Sequence, residues 1–289
     1  MEAEREFIPG LSREAREKVR YGMIKEIYEE VTQTLDEAFQ IMGSKFNKEF
    51  ILFIGRADVV PGLKQYTGTD CVVDYQGDTV HDETRTRFYL RYLNRNYKRD
   101  GFAYEGESGF DDLNIELMIY CHIWDSSYFI KALYRLASIV SGDGYVWNAE
   151  IHWRKKEQFI VKRIIEPFKA AGLKIGSLLE ECYDAGLRNA FAHSLYTIES
   201  DQRKIYIRPE KGYKTYTFEE FQILFLKTTL LMNLMENMLE TNHNEAAKKE
   251  SALTEAFMTP DDVKVQVYGC MQKRGDSIRP EFKIVKVID

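Results

Sequence analysis

The sequence predicts a mainly α-helical protein carrying small β-hairpins, and three observations predict it. Apolar residues recur at three- and four-residue steps over long stretches, as they do in helices that bury one face. Two short stretches, around 195–208 and 263–287, instead read as strands flanking turn residues, the pattern of a hairpin. Only 6 Pro and 18 Gly interrupt the 289 residues, against 18 Tyr and 17 Phe, so the chain can build a packed core and is neither disordered nor of low complexity.

In order, the first predicted element is one long amphipathic helix over Leu11 to Met42, with Ser12 as N-cap and Gly43 as its stop. An apolar run, Phe50 to Ile54, precedes an irregular span over 57–80, rich in Gly, Asp and Thr, in which Cys71 to Val73 suits a short strand. A helix is expected from near Asp82, carrying Arg87, Arg91, Arg95 and Arg99 at four-residue steps beside Phe88, Tyr89 and Tyr92. That spacing makes a basic strip on one face, either a contact for nucleic acid (RNA) or an acidic partner, or an ordinary solvated surface.

After a Gly-rich boundary near 100–110, Asp111 and Asp112 open an apolar helix that is expected to continue through Ile139. Ser141-Gly142-Asp143-Gly144 ends it. A further helix is expected over Trp147 to Ala171, kinked or stopped near Pro167, and another from Lys174 to Ser194 after Gly172. A hairpin then turns at Asp201-Gln202, and Thr217 with Glu220 makes a capping box for a very apolar helix through Met238. Residues 241–259 read as a polar linker, and a second hairpin turns at Lys273-Arg274-Gly275-Asp276. The domain reading is an N-terminal mainly helical region (1–108), a main helical domain (109–241), and a linker with a C-terminal β-hairpin (242–289).

Composition narrows the function. Cys71, Cys121, Cys182 and Cys270 lie singly, without the spacing of a zinc site, so reduced structural thiols, no metal and no cofactor are expected. A charged N-terminus and the absence of an apolar run of about 18 residues lead to the expectation of a cytoplasmic protein without membrane contact. The net charge of −6 opposes generic affinity for phosphate backbones, so a nucleic-acid function requires a local basic patch.

The candidate chemistry lies at Leu187-Arg188-Asn189-Ala190-Phe191-Ala192-His193-Ser194. An Arg and a His five residues apart carry little weight alone. Their context distinguishes them: a polar Asn189 directly after the arginine, a small and apolar spacer, and long apolar helices on both sides. Five residues of helix rotate by about 500°, so Arg188 and His193 point roughly 140° apart. A twofold pair of such helices can gather both copies into one cleft.

Over residues 111–240 this pattern resembles the HEPN superfamily, whose ribonuclease members carry an arginine and a histidine four to six residues apart, frequently with a polar residue after the arginine. The resemblance implies a HEPN-like antiparallel helical bundle with an N-terminal helical extension. It also implies a homodimeric, metal-independent endoribonuclease of the kind found in toxin and antiphage defence systems, with Arg188 and His193 catalytic. Asn189, Ser194 and Tyr196 would orient the substrate, and RNA cleavage would need the 2′-hydroxyl. An antitoxin or regulatory partner is a further expectation, and His122 with Asp125 could border the cleft. The remaining histidines, His81, His152 and His243, read as structural. Two alternatives stand beside this. One is a non-catalytic HEPN module that binds a nucleotide or a partner such as a minimal nucleotidyltransferase. The other is a helical scaffold in which Arg188 pairs with Asp184 and His193 merely caps its helix.

Overall fold

Helices with buried stripes make up most of the described residues, and small antiparallel sheets fill the intervals between some of them. The computed structural model describes residues 13–60, 65–67, 106–151, 153–199, 201–208, 212–248, 256–259, 262–274 and 277–286. The helix expected near Asp82 with its arginine strip, the strand at Cys71 to Val73, and His81 and His152 lie outside the described residues.

Contacts gather the chain into two units, each assembled from three stretches. One draws on 1–33, 85–126 and 178–233, the other on 34–84, 127–177 and 234–289. Three helices run through both ranges: α1 (Arg13–Lys45), Lys174–Cys182 and, late in the chain, Phe218–Lys248. In α1 the buried positions Ile27, Val31, Leu35, Ala38, Phe39 and Met42 recur at three- and four-residue steps, as its periodicity predicts. The helix passes Gly43 and ends two residues later.

The second unit is built on α2 (Asn47–Ile54), whose Ile51, Leu52, Phe53 and Ile54 are all buried. Its Phe53 meets Phe39 edge to face at 5.9 Å. Strands β1 (Asp58–Val60) and β2 (Gln65–Thr67) pair antiparallel. The helix expected from Asp111 through Ile139 starts earlier, inside the expected boundary, and is two: α3 (Gly106–Asp125) in the first unit and α4 (Ser127–Val140) in the second. The break falls at buried Ser126, whose N–H donates to the Ile123 carbonyl at 3.2 Å. Consecutive serines compete for backbone hydrogen bonds and weaken a helix interior there.

The next helix also departs from expectation. It starts at a 3₁₀ turn over Trp153–Lys155, runs as α5 (Lys156–Ile160), widens into a π-helical stretch at Val161–Ile165, and resumes as α6 (Glu166–Ala170). Pro167 does not stop it. A proline ring clashes with the carbonyl four residues earlier, here Arg163 inside the widened turn, and the π-helical geometry makes room for it. Gly172, at φ 73°, ends the helix as its position suggests. The linker expected over 241–259 is mostly helix and strand where it is described. The last helix reaches Lys248, and β6 (Ala256–Met258) adds a third strand to the predicted C-terminal hairpin of β7 (Lys264–Arg274) and β8 (Ser277–Lys286). Val265, Val267 and Phe282 turn inward from that sheet, and His243 Nδ1–H donates to the Ile54 carbonyl at 2.9 Å, with its ring against Phe282.

The expected helix over 174–194 is likewise two, α7 (Lys174–Cys182), which enters the first unit at Leu178, and α8 (Ala185–Ala192) within it. Strands β3 (Tyr196–Glu199), β4 (Lys204–Ile207) and β5 (Lys214–Thr217) then form a three-stranded antiparallel sheet, one strand more than the hairpin predicted. The capping box is present as read. Thr217 N–H donates to Glu220 Oε2 at 2.8 Å and Glu220 N–H to Thr217 Oγ1 at 3.1 Å, opening α9 (Phe218–Lys248). Leu113, Leu117, Tyr120, Trp124, Leu187, Ile205, Phe221 and Phe225 are buried in this unit, and each such side chain contributes roughly 1.5–3 kcal/mol. Lys227 of α9 reaches Glu181 at 2.7 Å and Glu30 at 3.1 Å. Burial pulls its ammonium down, and the two carboxylates outweigh that and hold it above the usual lysine value.

Candidate active site

The helix that carries the motif starts where Asp184 stops the one before it. Asp184 is extended (φ −120°, ψ 103°), and its Oδ1 accepts the Leu187 N–H at 2.8 Å, an N-cap that satisfies one orphan donor of α8. Its Oδ2 accepts from Lys214 Nζ and Tyr216 Oη on β5. Its own N–H donates at 2.8 Å to the Tyr120 hydroxyl of α3, which in turn donates to the Cys182 carbonyl at 3.1 Å. One tyrosine on α3 thus serves both backbone ends of the gap between α7 and α8.

Electrostatics follow from this crowding. Burial raises the Asp184 carboxyl, yet hydrogen bonds from Lys214, Tyr216 and Leu187 outweigh it and leave the group below the ordinary aspartate value. Tyr216 moves the other way, raised by burial and by its bond to Asp184. Burial also raises Tyr120 and pushes the Cys182 thiol up to about 12. Cys121 and Cys182 are buried thiols outside any disulfide among the described residues.

Arg188 does not pair with Asp184, whose oxygens are taken. Its Nη1 donates to Asp125 Oδ1 at 3.0 Å and its Nη2 to Asn189 Oδ1 at 2.6 Å, while Nε is buried without a partner among the described residues. The Cys121 thiol lies 3.7 Å from Asp125 Oδ2 and 3.6 Å from the Arg188 carbonyl. Only 16% of the arginine side chain is exposed, against 44% for Asp125. An ion pair so open on one side adds little stability, but together with the Asn189 amide it fixes the plane of the guanidinium. His122 is half-buried on α3, one turn before Asp125.

His193 is the C-cap of α8 and exposed, and its ring makes no hydrogen bond or ion pair among the described residues. The helix ends there in a Schellman turn: Leu195 N–H donates to the Ala190 carbonyl at 2.7 Å and Ser194 N–H to the Phe191 carbonyl at 3.1 Å. Ser194 takes the left-handed position at φ 55° where glycine is usual, at a cost of roughly 1 kcal/mol. Tyr196 is not free at its hydroxyl, which donates to Asn114 Oδ1 of α3 at 2.8 Å while its ring lies 5.4 Å from that of Phe191. Within one chain, then, Arg188 and Asn189 are brought together and His193 stands apart from them. The arginine strip at Arg87 to Arg99 lies outside the described residues.

The residues that set this geometry without being flagged by the motif are Asn114, Tyr120, Lys214 and Tyr216. Tyr120 carried a signal, a hydroxyl inside an otherwise apolar helix stripe, since a buried phenol requires a partner. Among the described residues no three His, Cys, Asp or Glu side chains gather as a metal site, and no described helix is long and apolar enough to cross a membrane. No family model, no curated protein and no solved structure matches the chain.

Proposed function

We propose that the chain is a metal-independent endoribonuclease of the HEPN type, working as a cytoplasmic homodimer in a toxin or antiphage defence role. The observation that carries the reading is the α8 arrangement: a guanidinium held in one orientation by Asp125 and Asn189, five residues from an exposed, uncommitted imidazole. In a twofold pair, α8 from each copy lines one cleft and supplies a second His193. One imidazole takes the proton of the RNA 2′-hydroxyl as that oxygen attacks phosphorus, and the other protonates the departing 5′-oxygen. Arg188 stabilises the negative charge that builds on the phosphoryl oxygens. The products are a 2′,3′-cyclic phosphate and a 5′-hydroxyl.

The test is incubation of wild type, His193→Ala and Arg188→Ala with mixed RNA in EDTA, followed by mapping of product ends. The wild type is expected to leave cyclic phosphates, and each variant to lose at least about 100-fold in rate. Cleavage that survives His193→Ala, or that EDTA abolishes, overturns the mechanism. One observation favours a second reading: Asp125 already neutralises Arg188 within a single chain. A non-catalytic HEPN module would use that site to bind a nucleotide or a partner, and would leave RNA intact in the same experiment.

A further inference from the structure

The register of the sheet beside the motif sets three residues in line. Tyr196 pairs with Ile207 and Ile207 with Lys214, and the Arg208 N–H donates to the Leu195 carbonyl at 2.9 Å. One step further along the same ladder, Leu195, Arg208 and Tyr213 therefore cross the sheet side by side. Alternation along a strand turns neighbours to opposite faces. Ile207 is buried, Tyr196 reaches Asn114 and Lys214 reaches Asp184, so the row next to them faces solvent.

Exposure bears this out: Leu195 is 46% exposed and Tyr213 78%, among the large hydrophobic side chains left in solvent. Arg208 is exposed, its guanidinium 5.8 Å from the centre of the Tyr213 ring. The row begins two residues after His193, directly beyond the Schellman turn, so it shares an end of the sheet with the candidate catalytic residue. Nearby, Arg203 is paired with Glu219 and Lys214 with Asp184, so Arg208 is the cation that stands beside the exposed ring.

We infer that the row is a platform for single-stranded RNA, on which an unpaired base stacks against Tyr213 and Arg208 holds an adjoining phosphate. The inference rests on the ribonuclease reading for what happens to the strand, and names its substrate as unpaired rather than duplex RNA. An exposed flat ring accepts any base, because every base offers a π-face. A base in a duplex is already stacked and cannot reach it. Lys214 is outside the platform, since it is committed to Asp184.

The experiment measures fluorescence anisotropy of a labelled, mixed-sequence 2′-O-methyl oligoribonucleotide, which cannot be cleaved, against full-length wild type, Tyr213→Ala, Tyr213→Phe and Arg208→Ala. Tyr213→Ala is expected to weaken binding about tenfold and Tyr213→Phe to restore it. Arg208→Ala is expected to weaken binding and to reduce its salt dependence by about one phosphate. A duplex of the same sequence binds more weakly and is indifferent to Tyr213→Ala. Affinity for the single strand that is unchanged in Tyr213→Ala and Arg208→Ala overturns the platform, as does a wild type that prefers the duplex. A Tyr213→Ala protein that changes oligomeric state but keeps its RNA affinity also overturns it. Tight, Tyr213-dependent binding by a protein that cuts no RNA leaves the platform standing and removes the nuclease.

Discussion

Asp184 joins three elements of its unit through one side chain and one N–H: it caps α8, anchors β5 through Lys214 and Tyr216, and meets α3 at Tyr120. Asp184→Ala should cost about 2–4 kcal/mol, the sum of a lost cap and of bonds to a charged acceptor. Because the folded carboxyl gives up its proton more readily than the unfolded one, its contribution is in place above about pH 4. It is lost as pH falls through the folded value. Urea denaturation between pH 3 and 6 checks this: wild type should lose stability on acidification faster than Asp184→Asn, and parallel curves for the two would remove the argument. None of these roles is legible in the sequence, whose spacing runs one helix through Asp184, and Tyr120 and Lys214 lie far from it along the chain. The Thr217–Glu220 capping box was legible because both halves sit within one helical turn.

At the scale of elements, periodicity located the helices and missed where they break. Both misplaced boundaries, at Ser126 and at Tyr183-Asp184, sit inside runs whose apolar spacing continues across the gap. Spacing registers which face is buried and does not register a cap satisfied by another element. The π-helical turn before Pro167 was similarly invisible, because a proline signals either a stop or an accommodation and only packing decides. Gly176 shows packing of this kind. A Cβ there would lie 2.8 Å from the Lys169 backbone nitrogen and 3.1 Å from Phe168 Cβ, which lets the start of α7 close on the end of α6. Gly176→Ala should therefore lower stability by about 1–3 kcal/mol, although alanine is the better helix former. A rise in the melting temperature would show that the contact is not tight.

At the scale of the whole molecule, the mainly helical class with its two hairpin regions was readable from the chain, and a third strand in each sheet was not. A short strand such as β6 or β5 has too few residues to display a period. The candidate site was readable as a motif but not as a geometry: Arg188 and Asn189 meet, while His193 points into solvent. A single copy holds one imidazole where the proposed reaction uses two. Specific activity should accordingly fall as the protein is diluted through its dimer dissociation constant, with mass from light scattering falling in step from twice that of one chain. Activity that stays proportional to concentration once the protein is monomeric would place the whole reaction within one copy.

Trp124 is fully buried one residue before Asp125, its indole 4.8 Å from the Tyr183 ring. The Arg188 ion pair therefore has an optical reporter of its own, attached through the backbone. With Trp147 and Trp153 replaced by Phe, the emission of the remaining indole belongs to this corner of α3 alone. Occupancy of the guanidinium can then be followed in real time on an unlabelled protein.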